Sequence, residues 1–277
     1  MKKLHFGQLW LILFTGIILS CTFSKKSETV VKPFSLENME WIDLTHSFDS
    51  TTLYWPNNPT DFEHKEDAYG MTEFGYFYSS YSLSTPEHGG THLDAPIHFA
   101  KGKQTVSQIP LDRLIGKAEI IDVSTNALQD RDYLISAKDI LDWEKENGSL
   151  EEDRIIIFKT GYGKFYPDRE KYFGTSKKGD EAIPELHFPG ISEEAAKLLV
   201  NKKIKAVGID TPSLDYGQSA DFIAHQILMG ANIPGFENVA NLEQLNAESE
   251  VYILALPMKI KNGSGGPLRI IAGKVPQ

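Results

Sequence analysis

The chain carries a single cysteine, Cys21, in 277 residues. A body with no second thiol forms no internal disulfide, and beyond Cys21 it offers neither a cysteine nucleophile nor a thiolate metal ligand. Any metal it holds must take nitrogen and oxygen donors. No Gly-x-Ser-x-Gly elbow occurs, which removes the common serine-hydrolase signature. No basic run exceeds two residues and the formal net charge is −10. Such a field repels phosphate, so nucleic acid and anionic membrane surfaces are excluded as partners. Self-similarity at a fixed period is also missing, which rules out solenoids and arrays.

Long apolar runs are scarce too. The one from Leu9 to Leu19 is too short to favour a membrane-spanning helix. Lys2-Lys3 precede it and Ser20-Cys21 follow it, which is the layout of a secretory signal. The stretch Ile18-Leu19-Ser20-Cys21 resembles a bacterial lipobox, whose cysteine is lipidated and becomes the new N-terminus. Residues 22–38, rich in Ser and Lys, read as a flexible tether. The expectation is an exported protein with a lipid on Cys21, anchored to a bacterial membrane on its periplasmic side, and a single domain over residues 39–277.

What is present is ordinary globular material, 41% hydrophobic and 24% charged. Strand-like runs fall at Glu40–Leu44, Tyr76–Leu83, Ala118–Val123, Arg154–Lys159, Ala206–Ile209, Val251–Leu256 and Leu268–Ala272. Helices are predicted at Ala137–Asn147, opened by Ser136 with Asp139 three residues on and closed by Gly148. Two more are predicted at Glu193–Lys202, after Ser192, and at Asp221–Met229. Strands outweigh helices without a strict βαβ rhythm, so a mixed α/β domain is expected.

The chemistry concentrates in Glu87-His88-Gly89-Gly90-Thr91-His92-Leu93-Asp94-Ala95-Pro96-Ile97-His98-Phe99, which holds three of the eight histidines. Gly89-Gly90 and Pro96 argue against a helix. In an extended chain His88, His92, Asp94 and His98 share parity and point to one side. At about 3.3 Å per residue the outer two would then lie roughly 30 Å apart, so the glycines and the proline must bend the chain for them to converge. Imidazole with carboxylate is a donor set for zinc, manganese or iron.

This segment resembles the signature of the cyclase family, which includes kynurenine formamidases and isatin hydrolases. Gly208-Ile209-Asp210-Thr211-Pro212-Ser213, His225 and Glu237-Asn238-Val239-Ala240-Asn241-Leu242 support the resemblance, which spans residues 39–277. It implies that His88, His92 and Asp94 ligate metal, that His225 and Glu237 complete the site, and that His98 acts as acid or base. It further implies a substrate-pocket role for Trp55 and a β-barrel-like core with surrounding helices, of the swivelling β/β/α type. Dimers or larger homo-oligomers are the family habit. Composition alone reads His225 as a core histidine and Glu237 as a solvated acid.

The activity implied is hydrolysis of a small amide, an aryl formamide such as N-formylkynurenine or a cyclic amide such as isatin, with one or two Zn or Mn ions. Two other readings stand beside it: a lipoprotein that binds metal or solute without catalysis, and a cyclising or dehydrating enzyme. Of the remaining histidines, His46 reads as structural and His64 and His187 as exposed. Gly263-Ser264-Gly265-Gly266-Pro267 reads as a tight loop, similar in position to a family loop near the active site.

Overall fold

A computed structural model describes residues 35–246 and 250–275. The lipidation site, the signal and all but the last residues of the tether lie outside the described residues. No helix among the described residues is long and apolar enough to cross a membrane.

The strands, in chain order, are β1 (Glu40–Asp43), β2 (Glu63–Met71), β3 (Phe77–Ser84), β4 (His92–Asp94), β5 (Ile115–Asp122), β6 (Leu134–Ile135), β7 (Ile155–Lys159), β8 (Gly190–Ile191), β9 (Ala206–Ile209), β10 (Gly235–Glu237), β11 (Val251–Pro257) and β12 (Gly265–Lys274). The α-helices are α1 (Leu111–Leu114), α2 (Ser124–Ala127), α3 (Ala137–Asn147), α4 (Arg169–Phe173), α5 (Glu193–Asn201) and α6 (Ile223–Gly230). Seven strands close into a mixed barrel in the order β12-β11-β5-β7-β9-β10-β4, with β4 pairing back onto β12. The β5–β7, β7–β9 and β9–β10 pairs are parallel and the rest antiparallel. Strand β1 joins the outer side of β12.

The run Ile155-Ile156-Ile157-Phe158 shows how sequence becomes layers. Successive side chains of a strand point to opposite faces. Ile155 and Ile157 join a core to which every barrel strand contributes, with Leu93, Ile120, Phe236, Ile253 and Ile270 among its members. Ile156 and Phe158 face outward, into a second core formed with Leu199 of α5 and Leu228 of α6. A strand buried on both sides has no polar alternation, which is why this one reads as a continuous apolar run.

The barrel expected from the resemblance is present. Three differences matter for the site. The short strands β4 and β10 were not foreseen, nor was β2. The loop expected at residues 263–267 is a loop only at Gly263-Ser264; Gly265-Gly266-Pro267 pair with β4 as the start of β12. The expected helix at 221–229 begins at Ile223, because its cap Phe222 is held at φ 53°, outside helical space.

Candidate metal centre

Strand β4 lies between β10 and β12, with His92 opposite Glu237 and Asp94 opposite both Gly235 and Gly265. Leu93 and Phe236 fill the barrel core, so the alternating positions His92, Asp94 and Glu237 share the outer face. Helix α6 lays buried His225 on that face. His88 comes in from the bend before β4, where Gly89 and Gly90 take φ of 144° and 55°. A Cβ on Gly89 would stand 2.1 Å from the Tyr54 ring and one on Gly265 2.6 Å from His88, so close packing also demands glycine.

Five predicted ligands converge. Donor atoms of His88, His92 and Asp94, and those of Asp94, His225 and Glu237, form two groups within 4.8 Å that share Asp94. Each histidine has one nitrogen fixed by the protein. His92 Nδ1 donates to the Gly90 carbonyl at 2.9 Å, and His225 Nδ1 donates to Asp215 Oδ2 at 2.5 Å. Ser264 gives its proton to Glu87 Oε2 at 2.7 Å, so His88 Nε2, 2.8 Å from Ser264 Oγ, is the donor there.

The other three nitrogens all face carboxylate. His88 Nδ1 lies 2.6 Å from Asp94 Oδ1, and His92 Nε2 lies 3.1 Å from the same oxygen. His225 Nε2 lies 3.1 Å from both Asp94 Oδ2 and Glu237 Oε1. Lone pairs cannot oppose one another at such distances without a cation or protons between them. Burial disfavours a charged His92, but Asp94 and Glu237 outweigh it and push its pKa up to about 9. Burial likewise opposes a charged His225, and its bonds to Asp215, Asp94 and Glu237 raise it well above the ordinary value. Asp94 is buried, which favours its neutral form, yet the charges of His88, His98 and His92 hold its carboxyl well below the usual range. Glu237 is raised, by burial first and by Asp94 second. Among the described residues neither carboxylate has a Lys or Arg partner. The residues therefore fit a divalent ion, with three nitrogens and two carboxylates as donors and second hydrogen bonds orienting the imidazoles.

His98 sits apart from both ligand groups. It follows the turn at Pro96, stacks on the His88 ring at 3.8 Å and meets His225 edge-on at 6.3 Å. Burial, offset in part by Asp94, lowers its pKa to about 4, so it is neutral at neutral pH. All seven predicted site residues line one cavity of about 260 Å³. Trp55 forms part of its wall with Phe99, Phe173 and Phe222.

Of the supporting motifs, Pro212 and Ser213 reach the cavity. Asp210 does not: it accepts from the Thr160 amide and hydroxyl and the Gly163 amide, a structural task. His64 is exposed, while His187 pairs at the surface with Asp132. His46 stacks on Tyr166 at 3.8 Å, and burial lowers its pKa to about 4. Sequence reasoning missed Asp215, Ser264 and Glu87. The only signal for Asp215 was its place just after the 208–213 motif.

Comparison with known proteins shows the family. A model of the family described as putative cyclase matches residues 42–216. The isatin hydrolase of Roseibium aggregatum is 30% identical over 243 residues, covering 81% of this chain and 90% of that protein. The kynurenine formamidase of Salinibacter ruber is 29% identical over 239 residues, covering 86% and 99%. Among solved structures, isatin hydrolase A from Labrenzia aggregata bound to benzyl benzoate superposes with a TM-score of 0.78 at 30% identity, covering 87% of this chain and 95% of that one. An isatin hydrolase bound to the product analogue thioisatinate gives 0.77 at 29% identity, covering 87% and 94%. By the extent of these matches, the chain belongs to the cyclase family.

Proposed function

We propose that the protein hydrolyses a small amide, using a divalent ion held by His88, His92, Asp94, His225 and Glu237. The observation that carries this is the set of three imidazoles, each with its outer N–H committed to the protein and its inner nitrogen turned onto Asp94 or Glu237. A divalent ion in such a site supplies Lewis acidity and lowers the pKa of water towards neutrality. Amide hydrolysis adds water across the C–N bond. His98, neutral and outside the ligand groups, takes a proton from the attacking water and returns it to the departing nitrogen. The aromatic walls, Trp55 among them, suit a flat aryl amide or a cyclic amide, the substrate classes in the names of the two relatives.

Zinc and manganese both suit this donor set. The test strips the purified protein of metal, restores each ion separately, and measures turnover of N-formylkynurenine and of isatin. Metal-dependent hydrolysis of either supports the reading and names the substrate branch. Stoichiometric metal binding with no hydrolysis of either compound or of simple aryl amides would favour the binding lipoprotein instead.

The hairpin of β2 and β3 supports self-association. Among the described residues its strands pair only with each other. Tyr69, Met71, Phe74, Tyr76, Phe77 and Tyr78 are all exposed on it. Large aromatic side chains bury about 150–250 Å² each. One such arm therefore supplies much of the roughly 800 Å² per partner of a stable interface, and a second copy of this chain is the partner we propose. Export and lipidation at Cys21 rest on the sequence pattern of residues 1–21. They fit a hydrolase that meets its substrate outside the cytoplasm.

A further inference from the structure

Ser213 lines the catalytic cavity and is 4% exposed, yet neither metal binding nor proton transfer uses it. The turn that carries it is tied to the metal ligands. The next amide, of Leu214, donates to Glu237 Oε1 at 2.8 Å, and after it comes Asp215, which holds His225 Nδ1. The Ser213 carbonyl accepts from the Thr211 hydroxyl at 2.9 Å, and its Oγ accepts from the Asp215 amide at 3.3 Å. Its donors are idle: among the described residues neither the Ser213 amide N–H nor its hydroxyl proton has an acceptor.

The other polar side chains of the wall that are not metal ligands differ. Asn238 is committed at both ends, with Nδ2 donating to the Gly90 carbonyl at 2.8 Å and Oδ1 accepting from the Tyr172 hydroxyl at 3.0 Å. Asn58 donates to the His88 carbonyl at 3.3 Å and, like Trp55, is partly exposed, so solvent can serve its remaining groups. Unused donors on a buried residue are rare, because each forfeits the hydrogen bond it would make in water. Their acceptor has to come from the cavity, which is the space that Ser213 meets.

In amide hydrolysis the acceptor that gains charge is the carbonyl oxygen. As water adds to the carbon, the π pair of the C=O bond moves onto this oxygen; as the C–N bond breaks, the pair returns and the nitrogen leaves with the proton that His98 hands back. A fixed O–H aimed at that oxygen binds it most tightly while it carries charge, which lowers the barrier. We infer that Ser213 is a catalytic residue: it donates a hydrogen bond to the amide oxygen and steadies the charge that gathers there, keeping its own proton throughout. This rests on the hydrolase reading and adds to it a donor from outside the His88–His98 segment.

The test uses the metal-loaded full-length protein, with Ser213→Ala and Ser213→Thr beside wild type. Kinetics give kcat and KM for whichever of formanilide, N-formylkynurenine and isatin turns over fastest. Calorimetry gives the affinity for benzylphosphinate, whose tetrahedral phosphorus, bearing a hydrogen, a pair of oxygens and a benzyl group, copies the adduct of water with formanilide. For Ser213→Ala the expected result is a fall in kcat of roughly 10²–10³-fold, with KM and metal content as in wild type, and benzylphosphinate bound about 10-fold more weakly. Ser213→Thr keeps the hydroxyl and should keep most of both. An unchanged kcat, a loss of metal along with activity, or equal losses in the two variants overturns the proposal and leaves Ser213 as a structural part of its turn. If wild type hydrolyses none of the three amides, the hydrolase reading fails and calorimetry decides alone. In that case benzylphosphinate must still bind more weakly to Ser213→Ala than to wild type and Ser213→Thr; equal binding, or none, overturns the donor as well.

Discussion

The hairpin of β2 and β3 runs directly into the segment that carries His88, His92 and Asp94, yet the two meet solvent in opposite ways. On the hairpin, Phe74 is 87% exposed and Met71 68%, while His92 and Asp94 a few turns later are 3% and 1% exposed. The first region is apolar and uncovered. The second is polar and covered. Each inverts the usual sorting of side chains, and each inversion costs free energy unless something outside the chain compensates it. For the buried polar face the compensation we propose is an ion; for the bare apolar arm it is the second copy of the chain proposed above. Adjacent stretches can thus be read for two different ligands by asking only what each leaves unmet.

The sharpest break between the regions comes from His98→Ala, which should lower kcat by roughly 10²–10⁴-fold with metal content unchanged by atomic emission. Loss of the metal in that variant would make His98 a ligand and sink its assignment as proton carrier. Next in size is Asp215→Asn, which removes the carboxylate that fixes His225. Metal affinity should weaken by about 10–100-fold, and activity should return at saturating metal. The same titration should release protons at neutral pH, because the ion replaces those that Asp94 and Glu237 hold on His92 and His225. A binding enthalpy independent of buffer would contradict that. The smallest effect on the fold is expected on the hairpin. Phe74→Ser with Phe77→Ser should leave the stability of the subunit within about 0.5 kcal/mol, while sedimentation shows loss of self-association. Persistence of the same oligomer would place the interface elsewhere and weaken the comparison itself.

Legibility differed by region in the same way. The segment from His88 to His98 announced itself because unlike donors crowd into a few residues around two glycines and a proline. Its parity argument held for His92 and Asp94, which share a face of β4, whereas His88 and His98 arrive by bends on either side. His225 and Glu237 were legible only through family resemblance, since the ligands of β4 that they join lie far off in sequence, 131 residues in the case of His225 and Asp94. Three-residue strands such as β4 and β10 are too short to show alternation, so the pairing of His92 with Glu237 left no periodic trace. Gly265-Gly266-Pro267 carry turn residues but form strand, because a side chain on Gly265 would collide with His88 and the Leu93 carbonyl. Asp215 gave no spacing signal because its bond to His225 depends on how the chain between them folds back onto the α6 N-terminus.

The closing strand of the barrel carries one more consequence, for the order of events during synthesis. All five donors have been translated once residue 237 is made, but β4, which holds two of them, is flanked on one side by β12, residues 265–274. The hydroxyl that orients His88 belongs to Ser264, later still than the donors. Contacts of such sequence separation form late. A nascent chain therefore exposes its histidines and acids long before it can hold them in the geometry that grips an ion. Metal capture becomes a terminal step, coupled to completion of the barrel, and a chain halted before Ser264 should have little hold on its ion.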